Sequence, residues 1–197
     1  MTELQSSPYK LFMLLLGSKA PQRNVEQHDF YFGIARNLKD LVPDIKAFWP
    51  EAGNSIHLDG WREVNTVDGY QVNITLKEDA QPINGSKLFF INLGGYQSGK
   101  LEEQHYTVLG VYEDKAQATQ SAKKTIFFKE QSAKGVKGAN SHIDEKYGID
   151  VDDVYRIEDI LSAGQKEKFQ IELIATENLT EDQIHLGYVT MDKLMKQ

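Results

Sequence analysis

Two stretches of the sequence, KLFMLLLG at residues 10–17 and KLFFINLG at residues 87–94, decide the fold because they are copies of one pattern. When the offset of 77 residues is kept, nine of 27 positions are identical between residues 10–36 and residues 87–113. Self-similarity at a fixed offset is the signature of an internal repeat. The sequence therefore predicts a tandem duplication.

The similarity extends beyond these first strands. Glu26-Gln27-His28 falls on Glu103-Gln104-His105 without a gap. After nine extra residues in the second copy, NSIHLD at residues 54–59 resumes the match with NSHID at residues 140–144. Four of the five histidines lie in these repeated motifs.

Each copy has the pattern of a ββαββ unit. Its first strand ends at a glycine, and its second strand is rich in the aromatic and β-branched residues that pack well on a pleated surface. Asn37 and Asp114 stand at equivalent positions as helix N-caps. The expected strands are residues 10–16, 28–35 and 70–76 in the first copy and 87–93, 105–112 and 169–175 in the second. We therefore expect an α+β fold with mostly antiparallel sheets, in which one helix covers each sheet.

The repeats set the expected domain organisation. We predict a first repeat over residues 8–80, a second repeat over residues 86–175, and a C-terminal extension over residues 176–197 that packs on the second repeat. A copy of about 75 residues buries little surface and is marginally stable alone, so the two should pack together as an internal pseudo-dimer. Residues 185–189 of the extension have the pattern of a strand that covers a sheet edge.

The composition excludes several classes of protein. There are 22 Lys and Arg against 29 Asp and Glu, a net charge of -7, and both halves are acidic, which argues against nucleic-acid binding. The longest apolar run, residues 11–16, is too short to cross a membrane, and the N-terminus has no signal-peptide pattern, so we expect a cytoplasmic protein. Without cysteine, disulfides, thiolate nucleophiles and iron–sulfur clusters are excluded.

The histidine motifs are the strongest candidates for a functional site. On an extended chain, residues two apart point to the same face, so Glu26 projects with His28 and His57 projects with Asp59. Two short segments would then present two imidazoles and two carboxylates to one pocket. This ligand set suits a divalent transition metal such as zinc, manganese or iron.

The second copy offers a parallel set of candidates for a ligand or metal site. They are Glu103, His105, His142 and Asp144. The spacing alone does not establish that the two segments of either copy meet, and no cofactor is predicted on this basis alone.

Two other interpretations of the motifs remain open. The first is structural, because a histidine at the start of a strand often hydrogen-bonds the neighbouring backbone and duplication copies structural residues as well as functional ones. The second is a metal-free ligand or acid–base pocket, in which a carboxylate orients an imidazole. Serine hydrolysis is disfavoured, since no nucleophile-elbow pattern surrounds Ser55 or Ser141.

The repeated pattern resembles a known family. Its features are Phe-x4-Gly at residues 12–17, Glu-Gln-His at residues 26–28, LVPDIKAFWP at residues 41–50 and IHLD at residues 56–59. Together they resemble an uncharacterised bacterial family catalogued as a domain of unknown function, which occurs in one or two copies per chain. The resemblance covers nearly all of residues 10–175 and implies a bacterial cytoplasmic protein with two such domains. It implies no activity, ligand or catalytic residue.

Three functions are therefore compatible with the sequence. The leading hypothesis is a non-enzymatic scaffold whose two pseudo-symmetric halves bind a small molecule or a protein partner. The alternative is a metal-dependent enzyme, a hydrolase or an oxygen-using enzyme, that uses the repeated histidines and carboxylates. The third is a structural module of a larger assembly, and association into a homo-oligomer is compatible with each.

Overall fold

The computed structural model describes residues 7–80, 85–96, 101–133 and 150–196. The chain divides into two compact units. The first unit combines Met1–Ile83 with Ile160–Gln197, and the second is Asn84–Asp159. The division between Ile83 and Asn84 lies inside the stretch between the two sequence repeats.

The first unit contains two antiparallel sheets. The strands of this unit are β1 (Lys10–Ser18), β2 (Gln27–Ala35), β3 (His57–Glu63), β4 (Thr66–Val67), β5 (Tyr70–Leu76), β9 (Phe169–Ala175) and β10 (His185–Thr190). The larger sheet has four strands in the order β10-β3-β1-β2, and the smaller has three in the order β4-β5-β9. Its helical segments are the 3₁₀ helices Leu38–Leu41 and Pro50–Ser55, and α1 (Val42–Phe48), α4 (Ala163–Lys168) and α5 (Met191–Leu194).

The elements of the second unit are β6 (Lys87–Tyr96), β7 (Glu103–Tyr112), α2 (Lys115–Ala133), β8 (Asp150–Arg156) and α3 (Ile157–Ile160), whose last residue already belongs to the first unit. The three strands form one antiparallel sheet in the order β7-β6-β8. Helices and mostly antiparallel sheets make this an α+β protein, as the sequence predicts. None of the helices in the described ranges has both the length and the apolar character needed to cross a bilayer.

The same pairing scheme occurs in both units. The first strand lies between the other two, and each neighbour is antiparallel to it. The pairing of β1 with β3 is interrupted between Leu15 and Leu16, and the pairing of β6 with β8 is interrupted between Asn92 and Leu93, 77 positions later. In each case one strand has an extra residue, which is a β-bulge.

Alternation along the first strand of each unit builds the core. In β1, Phe12, Leu14 and Leu16 are fully buried and cluster with residues of the 3₁₀ helix and α1, Leu41 and Ile45 among them. In the second unit, Phe89, Ile91 and Leu93 cluster with Ala118 and Ala122 of α2. Because these alanines are small, α2 can approach its sheet closely.

The local features of α1 differ in part from expectation. Asn37 precedes a 3₁₀ helix rather than α1, and its backbone N–H donates to the Asp40 carboxylate at 3.0 Å. Pro43 lies in the first turn of α1, where its missing N–H costs nothing, so it does not kink the helix. In the second unit Asp114 acts as expected, because its carboxylate accepts the backbone N–H of Gln117 at 2.8 Å.

Two predictions about the C-terminal part were wrong. The strand expected to end the second repeat, β9, pairs along its whole length with β5 in the first unit. The extension over residues 176–197 was expected to pack on the second repeat, but its strand β10 pairs with β3 of the first unit. The edge that β10 covers is therefore the β3 edge of the larger sheet.

A buried amide joins α4 to the first repeat inside this unit. Gln165 is 7% exposed, and its side-chain oxygen accepts the backbone N–H of Ile34 in β2 at 3.0 Å. Its side-chain nitrogen donates to the Asp44 carboxylate in α1 at 2.8 Å. The Gln165 amide therefore accepts a hydrogen bond from the Ile34 backbone and donates one to the Asp44 carboxylate.

We expect Gln165→Ala to lower the free energy of unfolding by about 1–3 kcal/mol, because the Ile34 N–H would be left buried without an acceptor. Chemical denaturation measures this difference. Gln71→Ala is the matched control, because Gln71 is exposed on β5 and should change stability by no more than about 0.5 kcal/mol. Equal effects of the two substitutions would contradict this role for Gln165.

Candidate functional site

The structure brings Glu26, His28, His57 and Asp59 together in the first unit. His28 lies near the start of β2, and His57 begins β3. Both strands flank β1, and the register places His28 and His57 on either side of the same residue, Gly17. The two sequence motifs therefore meet because β1 lies between them.

Four close contacts define the cluster. The Nε2 atom of His57 lies 3.1 Å from Glu26 Oε1 and 3.4 Å from Asp59 Oδ1. The Nε2 atom of His28 lies 3.1 Å from Asp59 Oδ2 and 3.8 Å from Glu26 Oε2. Each imidazole therefore approaches both carboxylates through the same ring nitrogen.

The two histidines differ in burial. The His57 side chain is 4% exposed, whereas the side chains of His28 and Glu26 are 46% and 43% exposed. Asp59 is intermediate, at 27%. The cluster is therefore buried at His57 and open to solvent at His28.

The other nitrogen of His57 fixes its orientation. His57 Nδ1 lies 2.9 Å from the backbone carbonyl of Ser55, which can only accept a hydrogen bond, so the proton belongs on Nδ1. Ser55 is held in turn, since its hydroxyl donates to the Ala52 carbonyl at 2.7 Å and lies 2.6 Å from the buried hydroxyl of Ser18. Neither serine is placed as a nucleophile. Their contacts hold the imidazole in place.

With the proton on Nδ1, a neutral His57 directs the lone pair of Nε2 at the two carboxylates. Lone pairs and carboxylate oxygens repel one another unless a proton or a cation lies between them. Asp59 Oδ2 is also buried without a hydrogen-bond partner, because its short contact with His28 is not directed as a hydrogen bond. A buried polar atom of this kind is usually satisfied by a water molecule or an ion.

Each single contact in the cluster has a length found between two ligands of one metal ion. Two ligand atoms that lie about 2.0–2.2 Å from one ion are roughly 3.4 Å apart at a tetrahedral angle and roughly 3.0 Å apart at a right angle. The four contacts span 3.1 to 3.8 Å and use both oxygens of each carboxylate, one toward His57 and the other toward His28. In the part of the chain that the structure describes, the group with one ligand atom of each residue within 4.8 Å of the others lies in the second unit, at Glu103, His105 and Asp152. A histidine whose other nitrogen donates to a backbone carbonyl is also the usual arrangement of a metal ligand.

The β-bulge and Gly17 explain why the cluster forms here. Asp59 is the extra residue of the bulge, because Leu58 pairs with Leu16 and Gly60 pairs with Leu15. Bulges often redirect a side chain beside a functional site. A Cβ atom on Gly17 would overlap both the Asp59 carboxylate and the His57 imidazole, so only glycine leaves room for them.

We expect Gly17→Ala to displace these two side chains and to weaken metal binding at this site by at least about tenfold, since ligand geometry controls affinity. Isothermal titration with Zn²⁺ after removal of metal by a chelator measures the change. Gly164→Ala is the control, because a Cβ there meets nothing within 4 Å. Unchanged affinity in Gly17→Ala would contradict this role for Gly17.

The second copy forms a related but different cluster. The Nε2 atom of His105 lies 3.7 Å from Glu103 Oε2 and 3.5 Å from Asp152 Oδ2. Two of the four residues expected there, Glu103 and His105, are thus near one another. The other two, His142 and Asp144, lie outside the described residues.

Strand register changes the correspondence between the two copies. His57 pairs with Gly17, and Asp150 pairs with Gly94, the equivalent glycine. Asp59 and Asp152 are both the extra residue of the bulge. In β8, then, Asp150 and Asp152 hold the positions of His57 and Asp59. Asp150 and Asp152 are not among the candidates predicted from the sequence, and His142 and Asp144 remain a prediction.

Sequence reasoning missed the contribution of β10 to the first cluster. The β10–β3 pairing shifts between Leu186 and Val189, so that Gly187 and Tyr188 face the bulge at Asp59. Gly187 has a φ angle of 144°, in the positive region that glycine adopts more readily than other residues. The ring of Tyr188 lies 4.3 Å from the ring of His57, measured between centroids, and is itself exposed. No periodicity in the sequence indicates this contact.

A second concave feature of the first unit was also missed. It is an open pocket of about 590 Å³ that contains Tyr9, Arg36 and Lys168 in its lining. Both cations lie over the Tyr9 ring, at 5.1 and 5.2 Å from its centroid. Arg36 lowers the pKa of Tyr9 below its usual range, because the guanidinium favours the phenolate.

Fold and site define this chain as an α+β protein with a histidine–carboxylate cluster on a bulged antiparallel sheet. Residues 23–74, which include Glu26, His28, His57 and Asp59, match the model of a family described as Domain of Unknown Function (DUF1543). The resemblance to an uncharacterised family is thereby confirmed over this segment.

A solved structure shares the fold. It is the crystal structure of a protein Il1583 from Idiomarina loihiensis, which is 20% identical and superposes with a TM-score of 0.60. The alignment covers 93% of this chain and 98% of that chain. At this identity the likeness concerns the fold alone. A search of curated proteins finds no match.

Proposed function

We propose that the first unit binds a divalent transition metal ion through Glu26, His28, His57 and Asp59. The observation that carries the proposal is the buried His57, whose Nδ1 atom is committed to the Ser55 carbonyl and whose Nε2 atom faces both carboxylates. Two imidazoles and two carboxylates suit zinc, manganese or iron. A cation at this point would remove the repulsion among the acceptor atoms.

The direct test is a metal titration of protein that a chelator has stripped. We expect the wild type to take up Zn²⁺, and we expect His28→Ala to lose about one equivalent or to bind it at least about 100-fold more weakly, because a ligand is removed. Elemental analysis after gel filtration gives the stoichiometry. His28 is exposed enough for the variant to fold.

His185→Ala is the matched control for this titration. His185 stacks on Trp61 at a centroid distance of 4.0 Å and makes none of the four contacts of the cluster. It should bind as the wild type does, and His57→Ala should behave like His28→Ala. A wild-type protein that retains no ion and cannot be loaded with zinc, manganese or iron would refute the proposal.

Stability measurements separate the metal site from the structural interpretation. In the presence of a chelator we expect His28→Ala to unfold within about 0.5 kcal/mol of the wild type, since exposed ion pairs contribute little. At a Zn²⁺ concentration of about 100 times Kd, the wild type should gain about 2.7 kcal/mol and the variant should not. A loss of about 1–3 kcal/mol in the variant with chelator present would instead support a structural role for the motif.

Catalysis is a second candidate function, and the open side of the cluster favours it. Because Glu26 and His28 are nearly half exposed, an ion held there would keep positions for water or substrate. A bound divalent ion lowers the pKa of its water and thereby supplies a nucleophile at neutral pH. A hydrolase fits this arrangement, and an oxygen-using enzyme fits it if the ion is iron.

The non-enzymatic scaffold keeps one specific observation in its favour. The pocket at Tyr9 presents Arg36 and Lys168 to solvent, a pair of cations that suits a small anionic ligand. Asp40 and Asp44 also line this pocket and reduce its positive field. The metal cluster is therefore the better supported function, and a protein partner remains a further expectation of the scaffold hypothesis.

A further inference from the structure

We propose that the second unit carries its own divalent-cation site, formed by Glu103, His105 and Asp152, and that this site discriminates less strongly between zinc and manganese than the first. The proposal rests on the proposed function, because the argument starts from the metal site of the first unit. It goes further by assigning a second set of ligands and a different selectivity.

The geometry of the three donors supports an ion between them. One ligand atom of each residue lies within 4.8 Å of the other two, and His105 Nε2 is 3.5 Å from Asp152 Oδ2. Glu103 and His105 begin β7, so their side chains are two residues apart on one strand face. Asp152 comes from β8, on the other side of β6.

The same structural device positions the carboxylate in both units. Asp152 is the extra residue of the β8 bulge, and a Cβ atom on Gly94 would overlap its carboxylate. His105 pairs with Gly94 as His28 pairs with Gly17. Three of the four ligand positions of the first unit are therefore filled by the same residue types in the second.

The fourth position accounts for the expected difference in selectivity. Where the first unit has the buried His57 beside Gly17, β8 has Asp150 beside Gly94. The second site therefore has one imidazole among its three ligands, and the first has two. Imidazole favours zinc, whereas carboxylates suit manganese and magnesium. The preference for zinc over manganese should accordingly be smaller in the second unit.

The second site is also more open. The side chain of His105 is 50% exposed, and those of Glu103 and Asp152 are 32% and 29% exposed. The Asn92 amide approaches Asp152 Oδ2 at 3.5 Å, so this carboxylate has a weak neutral donor. An ion there would keep more water ligands than one beside His57, which again suits a hard cation.

The test uses the full chain, stripped of metal, with Mn²⁺ and Zn²⁺ as probes. Free Mn²⁺ is followed by its electron paramagnetic resonance signal, and Zn²⁺ is added in competition. Glu26→Gln combined with His28→Ala removes two ligands from the exposed side of the first site and leaves the second site to be measured alone, and Asp152→Asn leaves the first. We expect two ions in the wild type, one in each of these variants and a zinc-over-manganese ratio at least about tenfold smaller in the double variant than in Asp152→Asn.

Asp153→Asn is the control, because it removes the same charge one residue further along β8 and outside the three ligands. It should bind two ions. If Asp152→Asn keeps both ions while the variant with Glu26→Gln and His28→Ala loses one, the second site is wrong and the proposed function stands. If Asp152→Asn loses an ion while that double variant loses none, the proposed function fails and the second site stands. Equal zinc-over-manganese ratios at the two sites would overturn the difference in selectivity.

Discussion

The pairing of β1 with strands on both of its sides is the constraint on which the rest of the molecule depends. It places His28 and His57 on either side of Gly17, although 29 positions separate them in the sequence. The bulge in the same strand pair then brings the Asp59 carboxylate over that glycine. Because backbone pairing fixes these positions, the cluster does not depend on mobile loops for its geometry.

Much of this arrangement could be predicted from the sequence, because it follows from local periodicity. The strands at residues 70–76 and 169–175 have the expected bounds, and Glu26 and His28 share a face because they are two residues apart on a strand. That the two motifs of the first copy meet could not be predicted. Strand order is set by pairing between distant segments, and the spacing of residues along the chain does not indicate it.

What sequence reasoning missed has the same physical origin. The register of β8 places Asp150 and Asp152 at positions equivalent to His57 and Asp59, although residues 150–152 do not resemble residues 57–59 apart from the last aspartate. Pairing with β6, rather than similarity of sequence, decides which residue lies opposite Gly94. The strands β9 and β10 likewise pair with β5 and β3 of the first unit. Each covers an edge that would otherwise be unpaired, and nearness in sequence does not decide which edge a strand covers.

The differences between the two clusters are more informative than their similarity. The residue that pairs with the glycine is His57 in the first unit and Asp150 in the second. A position that served the fold alone would need only a side chain that packs or hydrogen-bonds, and such a role does not explain why an imidazole in one unit corresponds to a carboxylate in the other. The first unit keeps His57, anchors it through Ser55 and Ser18, and places Tyr188 of β10 against its ring. The supporting contacts around His57 serve to fix one tautomer and one orientation, which matters for a ligand far more than for packing. The exchange of His57 for Asp150 at equivalent register positions is the difference that the two proposed ligand sets require.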